Sequence, residues 1–213
     1  MSRKLNLWTF FSLGAFSLAA QTILIREYLI SFQGNEIAIA IFYAAWFFWI
    51  ALGAQIVILK NSISKYFPLI LSFYPFLALL EFFLFRSLRG IAGVGAWELF
   101  PFQKILPLSI LFNAPFSLAT GIIFTAGCRL LKNPPDKNAA VVSKAYISES
   151  IGSFFAGVGI IILILKIVNP ALILTVLSLL FLTISLFDSL YLKSKAAVFI
   201  SCIGLVLDRK SVV

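Results

Sequence analysis

The sequence predicts an all-α protein: a polytopic transmembrane helix bundle of about six spans plus a short partial seventh. Two observations predict it. Of 213 residues, 62% are hydrophobic and 12% charged, with a mean hydropathy of +1.06; soluble domains run at about 45–50% apolar and about 25% charged. A water-soluble fold of this size has no interior large enough for so much apolar surface, so lipid must cover the excess. The second observation is spacing. A helix needs about 20 apolar residues to cross the bilayer core, and runs of that length recur along the whole chain. The 23 Phe and 4 Trp fit both hydrocarbon and the headgroup boundary. The expected organisation is one transmembrane domain over residues 1–213 with no soluble domain.

Leu5–Ile25 is the first run, 21 residues without a charge. Arg3-Lys4, the apolar stretch and the small residues Ser17–Ala20 also have the form of a secretory signal. Because the chain goes on crossing, the expectation is a retained signal anchor. Ile37–Leu59 is the second run, with Gly34-Asn35-Glu36 supplying a turn, an N-cap and an acid at its start. The third extends from about Tyr66 to Phe85, interrupted by Glu81. The fourth, Ile105–Cys128, should be bent by Pro107, Asn113 and Pro115. Lys132–Lys144 is the most polar loop, its two prolines stopping helix four. The fifth run covers about Ala145–Leu165 and contains Glu149. The sixth is Pro170–Phe187, opened by Asn169-Pro170. Ala196–Leu207 is too short to cross unaided. With the N-terminus inside, the inside segments hold ten Lys and Arg and the outside segments five, leaving aside Arg209 and Lys210. This bias places the N-terminus in the cytoplasm.

The net charge of +9 is spread over short connecting segments and forms no basic face, so nucleic acid is not an expected partner. There is no histidine, and Cys128 and Cys202 stand far apart in apolar runs, which argues against metal, haem and Ser/His or Cys/His catalysis. No Gly-rich loop follows a strand, so no cofactor site is expected and no residue is assigned a catalytic role.

Against this background a few polar features stand out as a candidate solute or partner site. Gln21 precedes Arg26-Glu27 and Gly34-Asn35-Glu36, and Gly14, Ser17 and Gln21 form a small-and-polar stripe. Arg26 either snorkels to headgroups or pairs with Glu36 or an acid on another helix. Glu149 heads a face of small residues, Gly152, Ala156 and Gly159, suited to close approach of another helix. An acid inside a span needs a partner, a proton or water, and Glu149 either meets that need at a site or reaches the interface. Glu81 lies deeper and is expected to make an interhelix bond. Asn113-Ala-Pro115 is either a plain kink or the kind of broken helix that lines a transport site.

Taken in order, Gln21…Ile25-Arg26-Glu27…Phe32-Gln33-Gly34-Asn35-Glu36, Trp46, Ala51-Leu52-Gly53-Ala54, Pro115…Gly121 and Tyr146…Glu149-Ser150-Ile151-Gly152-Ser153 resemble one family. It is the membrane-embedded N-terminal part of bacterial spermidine-synthase-like proteins, described as fused transporter/spermidine synthase. The resemblance covers about Leu7 to Pro170 and implies a multi-pass protein of the bacterial inner membrane. Family members commonly continue into an aminopropyltransferase domain, and this sequence carries none of that chemistry up to Val213. Two readings follow. In the first, the chain is a membrane subunit or anchor docking a separate synthase-like or other protein, or a second copy of itself, and is not an enzyme by itself. In the second, it is a transporter or half-transporter for a small, polyamine-like cation, with Glu149, Glu81 and Glu36 as contacts.

Overall fold

The computed structural model describes residues 7–95, 97–131, 138–166, 169–191 and 198–202. Among them there is no strand. The helices are α1 (Leu7–Ser31), α2 (Glu36–Leu59), α3 (Phe67–Ile91), α4 (Phe102–Phe112), α5 (Ala114–Leu131), α6 (Asn138–Lys166) and α7 (Pro170–Tyr191), with a 3-10 segment at Asn61–Tyr66. Six stretches are long and apolar enough to cross a membrane, α4 and α5 counting together as one. The chain is a multi-pass membrane protein, an all-α bundle surrounded by lipid.

The ends differ from the expected ones in a consistent way. α1 continues past Ile25 to Ser31, and α3 past Phe85 to Ile91. Both continue through arginines, because a helix goes on into the headgroup zone where long cationic side chains reach water. α6 begins at Asn138, so the C-terminal half of the expected Lys132–Lys144 loop is helical. Alanines and valines dominate there; Pro134 and Pro135, with Arg3, Lys4, Lys132, Lys137, Lys193 and Lys195, lie outside the described residues. Of the expected partial seventh run, residues 198–202 are described and helical. The turn between α1 and α2 places Gln33 and Gly34 at φ of 56° and 73°, a left-handed conformation that glycine adopts without strain. Asn35 then caps α2, its Oδ1 accepting from the Ile37 N–H at 2.9 Å. Asn169 caps α7 in the same way, accepting from the Ala171 N–H at 3.1 Å.

Between helices in lipid there is little hydrophobic driving force, so close backbone packing and interhelical hydrogen bonds must hold the bundle together. Two crossings supply them. Where α1 meets α6, a Cβ at Gly14 would overlap the Glu149 carbonyl and a Cβ at Gly152 would overlap that of Phe11. The Ser148 hydroxyl donates to Leu7 O (2.8 Å), and that of Ser153 to Gly14 O (3.1 Å). Where α2 meets α5, a Cβ at Gly53 would overlap the Leu118 carbonyl and one at Gly121 that of Ile50. Each pair is therefore locked by reciprocal glycines. Leu7 meets Ser148 and Gly14 meets Ser153 in the first pair, and Trp46 meets Phe116 and Val57 meets Arg129 in the second, so sequence numbers rise together and the partners are parallel. Six alternating crossings require this of spans one and five, and of spans two and four.

α1, α3 and α5 are the more buried helices, while α6 lies almost wholly on the outside against α1. Aromatic rings fill the middle. Tyr74 stacks on Phe116 at 4.4 Å between centroids, and Phe16 on Phe181 at 4.6 Å. Trp46 adds an edge to Phe116 at 5.5 Å. One layer away, Tyr28 packs between Phe42 (5.1 Å) and Phe85 (5.3 Å). Five helices thus contribute rings to one continuous plug.

Candidate functional site

The most unusual local structure is the break between α4 and α5. Pro115 has no N–H and its ring would strike the carbonyl one turn earlier, so α4 ends at Phe112 and α5 starts at Ala114. The break strands backbone groups in mid-membrane, where no water can satisfy them. Side chains from two other helices take them up. Glu81 of α3, fully buried, accepts from the Phe116 N–H through Oε2 at 3.2 Å. This carboxyl oxygen thereby faces the N-terminus of α5, the end of that helix dipole that favours an acceptor. Trp49 of α2 donates its indole N–H to Ile110 O at 2.7 Å. Asn113, also fully buried, donates from Nδ2 to Ser109 O at 3.1 Å and accepts the Ser117 hydroxyl at its backbone carbonyl. Two acceptors remain: Oε1 of Glu81 and Oδ1 of Asn113 are buried without a hydrogen-bond partner.

The other expected site residues lie elsewhere. Glu149 sits half-buried at the α1/α6 crossing, its backbone against Gly14, and its carboxyl makes no hydrogen bond among the described residues. Gln21 is half-buried further along α1. Glu36 is exposed at the start of α2, and the pairing considered for Arg26 is not made: Arg26 Nη1 has no partner, and no acid among the described residues pairs with that side chain. Arg26 instead lines a cleft with Arg86 and Arg89. The six candidate residues therefore divide among the broken helix, the α1/α6 contact and one end of the bundle, and do not converge on a single pocket.

The small-residue face also divides. Gly152 lies in backbone contact with α1, but a Cβ at Gly159 would meet nothing. Further along α6 the residue against α1 is Gly157, where a Cβ would meet the Leu18 side chain, while Ala156 and Gly159 line an apolar groove of about 340 Å³ between α1, α6 and α7. The expectation of close contact along the whole face fails at Gly159 for this reason.

Sequence reasoning missed several polar contacts. The hydroxyls of Tyr28 and Ser109 lie 2.5 Å apart, and those of Tyr74 and Thr120 lie 2.8 Å apart. Ser72 and Ser185 join α3 to α7 at 3.0 Å. No spacing in one sequence pairs such distant positions. Asp188 was missed for a different reason: α7 runs beyond Phe187 to Tyr191, which brings a fifth acid into a helix, with Oδ2 buried. That signal was available in the sequence. Among the described residues no group of three His, Cys, Asp or Glu could hold a metal ion.

No family model, no curated protein and no solved structure matches the chain.

Proposed function

We propose that the chain is an integral membrane subunit or anchor that holds a separate protein at the bilayer. The observation that carries this reading is the filled interior. Rings from α1, α2, α3, α5 and α7 interlock at mid-span. The hydroxyls around them bond to one another or to their own helices, so among the described residues the middle of the bundle is filled by rings and leaves no open polar path there. A bundle closed in this way has its outer surface to offer. The resemblance to spermidine-synthase-like proteins supplies the partner class, a synthase-like soluble protein, and supports a bacterial inner membrane location. The excess of Lys and Arg in one set of connections supports a cytoplasmic N-terminus.

A second reading, a transporter for a small polyamine-like cation, is favoured by one specific observation: the orphan oxygens of Glu81 and Asn113 beside a broken helix. Transporters place substrates at such breaks.

Glu149→Gln separates the readings. Gln keeps size and most hydrogen bonding but carries no charge. The tagged full chain, extracted from its native membrane, should keep its yield and monodispersity and lose stoichiometric co-purification of a synthase-like partner. Spermidine uptake into proteoliposomes should match empty vesicles for wild type. Saturable uptake by the wild type would replace the subunit reading with transport. Unchanged partner recovery would remove Glu149 from the docking site.

A further inference from the structure

At the end of the bundle formed by the C-termini of α1 and α3 and the start of α7, three arginines line a cleft of about 640 Å³. Arg89 has structural employment: its Nη1 donates to Ser31 O at 3.0 Å, and its Nη2 donates to the carbonyls of Gly95 and Glu98. Lys104, at the same end, is occupied by Ala92 O at 2.8 Å. Arg26 and Arg86 have no such partners. Arg86 is exposed at the rim and makes no hydrogen bond among the described residues. Arg26 is half-buried, with Nη1 completely covered and unpartnered. A guanidinium nitrogen removed from water and given nothing in return is costly, and these cations stand on the side where the charge bias is against them. Glu27, the one acid in the cleft, leaves the arginines in excess.

We infer that this cleft binds a phosphate-bearing anion, with Arg26 and Arg86 as its guanidinium ligands and the N-terminus of α7 behind it. The arginines come from two different helices, and the side-chain amide of Asn169, whose Oδ1 caps Ala171 while its Nδ2 donates to nothing among the described residues, comes from the start of α7. Donors arriving from several directions suit a tetrahedral oxyanion better than a planar carboxylate, and guanidinium forks match phosphate oxygens in pairs. The positive end of the α7 dipole adds to the attraction. The volume exceeds that of a bare ion and accommodates a headgroup, so the phosphate belongs either to an anionic phospholipid or to a free phosphate-type solute. The inference stands apart from the subunit reading, since a subunit and a transporter could each carry such a site.

The test uses the full chain in phosphate-free maltoside micelles and reads thermal stabilisation, which any ligand of the folded state produces. One arm titrates phosphatidylglycerol with diacylglycerol as the phosphate-free control, and the other titrates inorganic phosphate. Stabilisation in the first arm alone identifies a lipid headgroup, and stabilisation by inorganic phosphate identifies a soluble anion. In either case Arg26→Gln and Arg86→Gln should each weaken the response about tenfold, while Lys144→Gln, exposed at the other end, should not. If Arg26→Gln fails to fold, the exposed Arg86 carries the test. No stabilisation in either arm, or wild-type responses from the folded Arg variants, overturns the inference.

Discussion

Gly152→Leu is expected to abolish the folded bundle. Any Cβ at this position overlaps the Phe11 carbonyl oxygen, and the obstacle is backbone, which cannot turn aside as a side chain would. α1 and α6 would have to separate along the contact that carries the Ser148 and Ser153 hydrogen bonds to α1. Overpacking a core ordinarily costs about 1–3 kcal/mol. Here the loss of two interhelical bonds adds to it, in a bundle where such bonds and close packing are the main attraction. α6 has few other neighbours to hold it. Detergent-extracted yield and size-exclusion profile are the measurements. Ile161→Leu, a volume-conserving change on an exposed face, should leave both unchanged. A monodisperse Gly152→Leu protein at wild-type yield would show that the crossing is not needed.

Glu81→Leu should give the second largest effect. It removes the acceptor of the Phe116 N–H at the start of α5, and that donor has no water to turn to. Leaving a buried donor unsatisfied costs about 1–3 kcal/mol. Glu81→Gln retains an acceptor of the same reach and should lose much less. Thermal unfolding of the purified protein in detergent separates the two variants. If Glu81→Leu unfolds at the wild-type temperature, the carboxyl is not what holds the break.

The fold was legible because the membrane imposes one. Apolar runs of span length can be counted, and Asn35 and Asn169 are the caps the sequence announces. Helix ends were less legible. The charges of Arg26 and Arg86 look like stops, yet a helix carries them into the headgroup zone without breaking. The candidate site was legible only as a set of polar residues. Glu81 and Asn113 could be recognised as expensive in hydrocarbon, but the sequence does not say that the broken helix is where Glu81 spends its bond. Trp49 gave no signal at all, because its role depends on α2 lying beside the end of α4. Gly152 and Gly159 look alike in sequence and differ in the structure, since the contact with α1 passes from Gly152 to Gly157 and leaves Gly159 facing open space.

Sided cysteine labelling tests whether the six spans enclose a closed interior. Single cysteines are introduced into a Cys128→Ser, Cys202→Ser background and treated with an impermeant thiol reagent in intact cells and in inverted vesicles. Trp97, 98% exposed between α3 and α4, should label as cysteine from the outside, and Asn138→Cys at the start of α6 only from the inside. Thr120→Cys, beneath the aromatic plug and bonded to Tyr74, should label from neither. Labelling of Thr120→Cys from either side, slowed by spermidine, would contradict a closed core and leave transport as the better account.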